Sequence, residues 1–149
     1  SDELAFRLID EDNRIQILDF RTMDEFTKFK LPQSTLFTID NLFEKEPNQI
    51  LRLKKKVRVV VAKNEIEAKK IAIIATELGF KNLSILKGGI EQFKKDIIDF
   101  KLPETIASKH EAATYRFRTK ASKLIPELIE KTKSTGPVEK KQKRVIGGC

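Results

Sequence analysis

Val57-Arg58-Val59-Val60-Val61-Ala62-Lys63-Asn64-Glu65-Ile66-Glu67-Ala68 decides the fold. Its first five residues are mostly β-branched, the composition of a strand buried on both faces of a parallel sheet. Asn64 then fits a helix N-cap, with Glu67 three positions on. Ala68, Ile71, Ala72, Ala75 and Leu78 recur on one helical face, and Gly79 suits the left-handed position that ends such a helix. A buried strand leading through a short loop into a capped helix is the repeating unit of an α/β sheet.

The same unit recurs on both sides. Upstream, Leu4, Leu8 and Ile9 give a helix from Asp2, and Arg14 to Leu18 reads as a strand ending at Asp19. Thr22 and Glu25 form a capping box for a second helix, which Leu31-Pro32 breaks. Leu36 to Ile39 reads as a short strand, and residues 40–54 as one or two short helices interrupted at Pro47. Downstream, Leu83 to Leu86 is a strand, Gly88-Gly89 a turn, and Ile90, Phe93 and Ile97 open another amphipathic helix. Strands alternating with helices predict a small, mostly parallel sheet in a three-layer α/β fold.

Residues 105–132 continue as helix, with Phe117, Ala121, Leu124 and Leu128 on one stripe and Pro126 kinking or splitting it. The organisation expected is a domain over 1–100, a helical extension over 101–132 and a flexible basic tail over 133–149. Charge supports that division. The chain of 149 residues carries +8, but residues 1–100 hold 18 Lys+Arg against 17 Asp+Glu, whereas residues 101–149 hold 12 against 5. The basicity is therefore a property of the C-terminal third, and a basic nucleic-acid-binding fold is not expected.

One cysteine excludes an internal disulfide, and one cysteine with one histidine cannot supply a four-ligand zinc site. No metal or cofactor is expected. No apolar run is long enough to span a membrane, and a reducing, cytoplasmic location is the expectation. A start at Ser1 in place of Met reads as a piece of a longer chain, so a protein partner or an upstream domain is expected.

In a parallel sheet, sites form beyond the carboxyl ends of the strands. Here those ends are Asp19-Phe20-Arg21 and the loop Ala62, Lys63, Asn64, Glu65, Ile66, Glu67. Asp19 is expected to accept backbone N–H groups and Arg21 to pair with Glu25 across one helical turn. Tyr115-Arg116-Phe117-Arg118 interleaves aromatic and cationic side chains, as base-stacking surfaces do. Core packing of Phe117 with solvated arginines is the preferred reading, and His110 is read as a surface residue.

Asp19-Phe20-Arg21, Glu25-Phe26 and Leu31-Pro32-Gln33-Ser34 resemble the opening motif of the rhodanese family, D-x-R, E-[FY] and H-I-P-G-A. Gly79-Phe80-Lys81-Asn82-Leu83, then Leu86-Lys87-Gly88-Gly89-Ile90 and Phe93, resemble its closing motif. The resemblance covers residues 2–98 and implies the rhodanese-like fold, whose active members carry sulfane sulfur on a cysteine as a persulfide. Aligned with the family loop C-x-x-G-x-R-S, the cysteine position is Ala62, the glycine Glu65, the arginine Glu67 and the serine Ala68. Phe29 and Lys30 stand where the family has Gly-His before I-P.

A methyl group forms no covalent intermediate, and Glu65 and Glu67 place negative charge where an anionic substrate needs positive potential. The resemblance therefore implies an inactive sulfurtransferase homologue, a non-catalytic binding or regulatory module in a sulfur or redox system. Asp19, Arg21, Glu25, Gly88 and Gly89 remain as structural motif residues, with no catalytic residue in the loop. Two alternatives stand beside it. Cys149 on a tail with an r.m.s. reach of about 20 Å could carry a persulfide, and the basic tail could bind an anionic surface or nucleic acid.

Overall fold

A computed structural model describes residues 1–44 and 56–134. The elements in chain order are α1 (Asp2–Ile9), β1 (Ile15–Asp19), α2 (Met23–Lys28), β2 (Ser34–Leu36), a 3₁₀ turn (Asp40–Leu42), β3 (Val57–Val61) and α3 (Glu65–Glu77). β4 (Leu83–Ile85), α4 (Gly89–Phe93), a π-turn (Lys94–Ile98) and α5 (Lys109–Ser134) complete it.

The sheet has four parallel strands in the order β2-β1-β3-β4. β1 and β3 occupy its centre, paired from Ile15 with Val57 to Asp19 with Val61, so the two loops that follow them are neighbours. Strand alternation sorts the core into two layers. Ile15, Ile17, Val59 and Val61 face Leu4, Leu8, Phe93, Ile97, Ala121, Ile125 and Ile129. Leu18 and Val60 face Phe37, Leu42, Ala68, Ile71, Ala75 and Phe80. The sheet is thus packed on both sides by helices, the three-layer α/β arrangement the sequence predicts.

Several boundaries differ from the sequence reading. The second strand is Ser34–Leu36, two residues earlier than Leu36–Ile39. Gln33 takes a left-handed φ of 60° and Ser34 bonds back to Leu31, so pairing begins directly after the turn. Thr38 and Asn41 exchange side-chain to backbone hydrogen bonds and stop the strand there, a local competition typical of these residue types. Of the one or two short helices expected over 40–54, the described residues hold the 3₁₀ turn at Asp40–Leu42, and residues 45–54 with Pro47 lie outside them.

α5 begins at Lys109 and not at residue 105, because Ser108 accepts the Glu111 N–H while Glu111 accepts that of Ala107. Pro126 does not split it, and the helix runs unbroken through Ser134, two residues into the segment read as tail. Ile125 and Ile129, buried on either side of the proline, anchor both halves. The buried stripe is Ala121, Ile125 and Ile129, with Phe117 and Leu128 beside it; Leu124 is only half-buried.

Arg118 is not solvated. It bonds both oxygens of Asp2 at 2.8 Å and reaches Asp96 at 3.4 Å, fastening α5 to α1 and the π-turn. Tyr115 stacks on Phe100 at 5.7 Å between centroids. Among the described residues no helix is long and apolar enough to cross a membrane. Cys149 and the tail from residue 135 lie outside the described residues.

Candidate functional site

The carboxyl ends of β1 and β3 carry the two loops that matter. Phe20 N–H donates to Val61 O at 2.8 Å and ties one loop to the other. At the end of β1, Asp19 is buried and accepts the Arg21 backbone N–H at 3.1 Å. Its two oxygens also take the guanidinium, Nε at 2.9 Å and Nη2 at 2.7 Å. Arg21 Nη2 donates in addition to Phe29 O at 2.7 Å, reaching across α2.

Arg21 therefore pairs with Asp19 and not, as its i,i+4 spacing suggests, with Glu25. The buried carboxylate, which has few alternatives for its charge, takes the guanidinium. Glu25 is satisfied locally: it closes the capping box with Thr22, whose N–H and hydroxyl hold the Glu25 carboxyl below the usual range.

At the end of β3, Asn64 Oδ1 accepts the Glu67 N–H at 2.9 Å and starts α3. Ala62 is 1% exposed and packs in the layer of Leu18, Phe37, Leu42 and Ala68. The residue that the sequence resemblance aligns with the family's cysteine is thus a methyl group inside the core. Glu65 folds back over the loop: Oε2 accepts the Gly88 N–H at 3.1 Å, and Oε1 pairs with Lys69 Nζ at 2.6 Å. Lys69 and then Gly88 hold the Glu65 carboxyl below its ordinary range.

Gly88 and Gly89 both have positive φ, 72° and 68°. The turn they form presses onto the loop so closely that a Cβ on Gly89 would lie 3.1 Å from Lys63 O and 3.3 Å from Ala62 O. The sequence separates Glu65 from Gly88-Gly89, and the fold brings them together.

Beside this closed loop lies a concavity of about 300 Å³, lined by Arg21, Glu25, Lys28, Phe29, Lys63, Ile90, Glu91 and Lys94. Lys94 sits over the Phe29 ring at 4.7 Å and pairs with Glu91 at 3.1 Å. Ala62 does not line it, and no Cys, Ser, Thr or His side chain does. The surface can hold charged or apolar groups but offers no thiol or hydroxyl to attack sulfur. Lys28, Glu91 and Lys94 are additions that the sequence reading did not single out; only the fold brings α2, α4 and the π-turn to one concavity.

The parallel sheet, the Asp-x-Arg brace and the Gly-Gly turn define a small α/β domain of the rhodanese-like type. Residues 2–96 match the model of the rhodanese-like domain, and the chain belongs to that family. No curated protein sequence matches it. Among solved structures it is similar to the single-domain sulfurtransferase RDL2 of Saccharomyces cerevisiae. The two are 17% identical over 62% of this chain and 83% of that one, with a TM-score of 0.52. It is also similar to the Alr3790 protein of Anabaena, at 18% identity over 85% of this chain and 95% of that one, with a TM-score of 0.55. Residues 1–96 alone cannot supply 85% of the chain, so this second likeness takes in part of the C-terminal region. At these identities the likeness is one of fold.

Proposed function

We propose that this rhodanese-like domain is a non-catalytic binding module that docks a protein partner in a sulfur-handling or redox system. The observation that carries the reading is Ala62: the position that holds the persulfide in active relatives bears a methyl group, 1% exposed. Sulfur transfer needs a thiolate that can attack, be attacked and leave. The described loop supplies none, and Glu65 and Glu67 add negative charge at its mouth.

What remains is a shaped, charged surface at the family's site. The concavity between α2 and α4 is rimmed by Lys28, Lys63 and Lys94. Met23, at the start of α2, and Ile66, at the start of α3, are 63% and 67% exposed. A concavity lined by Phe29 and Ile90 among charges of both signs suits a protein contact better than a small anion. A cytoplasmic setting accords with the single cysteine of the chain.

The test is thiosulfate:cyanide sulfurtransfer together with intact mass after incubation with a sulfane-sulfur donor. No turnover and no added sulfur are expected. Because Cys149 is the one cysteine of the chain, a gain of one sulfur atom that disappears in Cys149→Ser would replace this reading with a persulfide carrier on the tail.

A further inference from the structure

Outside the loop, the remaining features of the described residues point to no ligand. The groove beside Leu102, Ile106 and Tyr115 and the exposed Ile66 and Ile73 of α3 are apolar surfaces with nothing on them to specify an occupant. The loop itself has a specific feature: an acidic side chain that bonds back to the turn packed against it.

Glu65 is the first residue of α3, and its carboxylate is divided between two partners on different elements. One oxygen takes the Gly88 N–H from the turn before α4, and the other takes Lys69 one helical turn along α3. The Gly88 N–H is thereby taken by a side chain from a different element. Behind it, Gly89 lies against the carbonyls of Ala62 and Lys63. Ala62 opens this loop, its carbonyl against Gly89 and its side chain buried in the layer of Leu18, Phe37, Leu42 and Ala68.

We propose that Glu65 is a conformational latch: its carboxylate is an internal anion that occupies the Gly88 N–H and holds the 62–67 loop shut against the Gly88-Gly89 turn. Asn64 is not the fastening, since its side chain bonds within α3. Neither is Glu67, which lies exposed on the far side of the cap. Lys69 supports the latch by fixing the second oxygen. The latch acts whether or not a partner docks at the neighbouring concavity, so it can fail or hold independently of the proposed function.

The experiment places a thiol in the latched loop. In the full chain with Cys149→Ser, Ala62→Cys is reacted with an aromatic disulfide reagent. The thiol is expected to react slowly, and adding Glu65→Ala to speed the reaction by about tenfold or more, the scale of a lost charge-assisted hydrogen bond. Adding Glu67→Ala is expected to leave the rate within about twofold, as for an exposed side chain with no role in the closure. Equal rates with and without Glu65 would overturn the proposal.

Should Ala62→Cys fail to fold, amide exchange in the chain with natural Ala62 decides. Glu65→Ala is expected to speed exchange at Gly88 while leaving Val60, in the sheet, unchanged. Unchanged exchange at Gly88, or an equal rise at both amides, overturns the latch.

Discussion

Arg21 closes on Asp19 through both carboxylate oxygens, with 3% and 1% of the two side chains exposed. A buried ion pair of this kind is held by its full set of hydrogen bonds and not by charge alone, because desolvation offsets much of the attraction. Here the third bond, from Arg21 Nη2 to Phe29 O, makes the pair a brace between the end of β1 and the end of α2. The same brace sets one wall of the concavity, since both Arg21 and Phe29 line it.

Removing the guanidinium leaves a buried, uncompensated Asp19. Arg21→Ala is expected to cost about 3–5 kcal/mol, read from urea denaturation. Arg21→Lys should recover only a minority of this, because an ammonium cannot span two carboxylate oxygens and the Phe29 carbonyl in one plane. A loss below about 1 kcal/mol, the range of exposed pairs, would contradict the brace.

Restoring the family residues does not restore the site. Ala62→Cys with Glu67→Arg is expected to show no thiosulfate:cyanide activity, because the new thiol lies in the core layer and the Glu65 contact remains. Measurable turnover in the double variant would show that the loop opens unaided.

A side chain at Gly89 would meet the loop backbone. At φ 68° an L-residue is strained by roughly 1–2 kcal/mol, and its Cβ would press on the Lys63 carbonyl at 3.1 Å. Gly89→Ala is therefore expected to lower the melting temperature, whereas Ala at Gly79, where nothing lies within 4 Å of a Cβ, suffers the conformational cost alone. Equal losses at the two glycines would remove the close approach as a cause.

The C-terminal helix is part of the core and not an appendage. Ile125→Ala is expected to cost about 2–5 kcal/mol, since Ile125 is fully buried with the inner face of the sheet. The measurement is chemical denaturation, and a single transition shared by α5 and the sheet is the expected form. An earlier, separate melting of α5 would make it an independent extension.

Asp12 gives the chain an acid-sensitive component. Its carboxylate accepts the Arg14 side chain and then the Arg14 backbone N–H, with Arg7 also bonded, and these hold it at about 2. The folded value lies below that of an unfolded aspartate, about 3.9, so folding favours the charged form. The contribution is fully present above the unfolded value and is lost as pH falls through about 2. Asp12→Asn should lower the melting temperature at neutral pH, and the gap should close as the pH approaches 2. A gap that persists unchanged at that pH would assign the effect to packing.

Much of the fold is legible in local chemistry. The β-branched run at 57–61, the Asn64 cap and Gly79 specify a strand, a loop and a helix using nearest neighbours alone. Thr22 and Glu25 do the same for α2. Ser108 and Glu111 carry a capping signal of the same type that explains why α5 begins where it does. Other misplaced features turn on burial, which spacing along the chain does not encode. Arg21 has Glu25 one turn away, but the buried Asp19 carboxylate needs the charge more. The stripe of α5 is chosen by the surface of α1 and the π-turn, which favours Ile125 over Leu124.

The candidate site divides in the same way. The sequence by itself determines that position 62 carries a methyl group and that positions 65 and 67 carry negative charge, because covalent identity needs no fold. Only the tertiary structure decides that Ala62 is sealed in the core, that Glu65 reaches Gly88 across 23 positions of chain, and that Gly89 rests on the loop backbone. Parallel strands bring the ends of distant segments to one edge of a sheet, and contacts made there are set by register and packing, which no local pattern encodes.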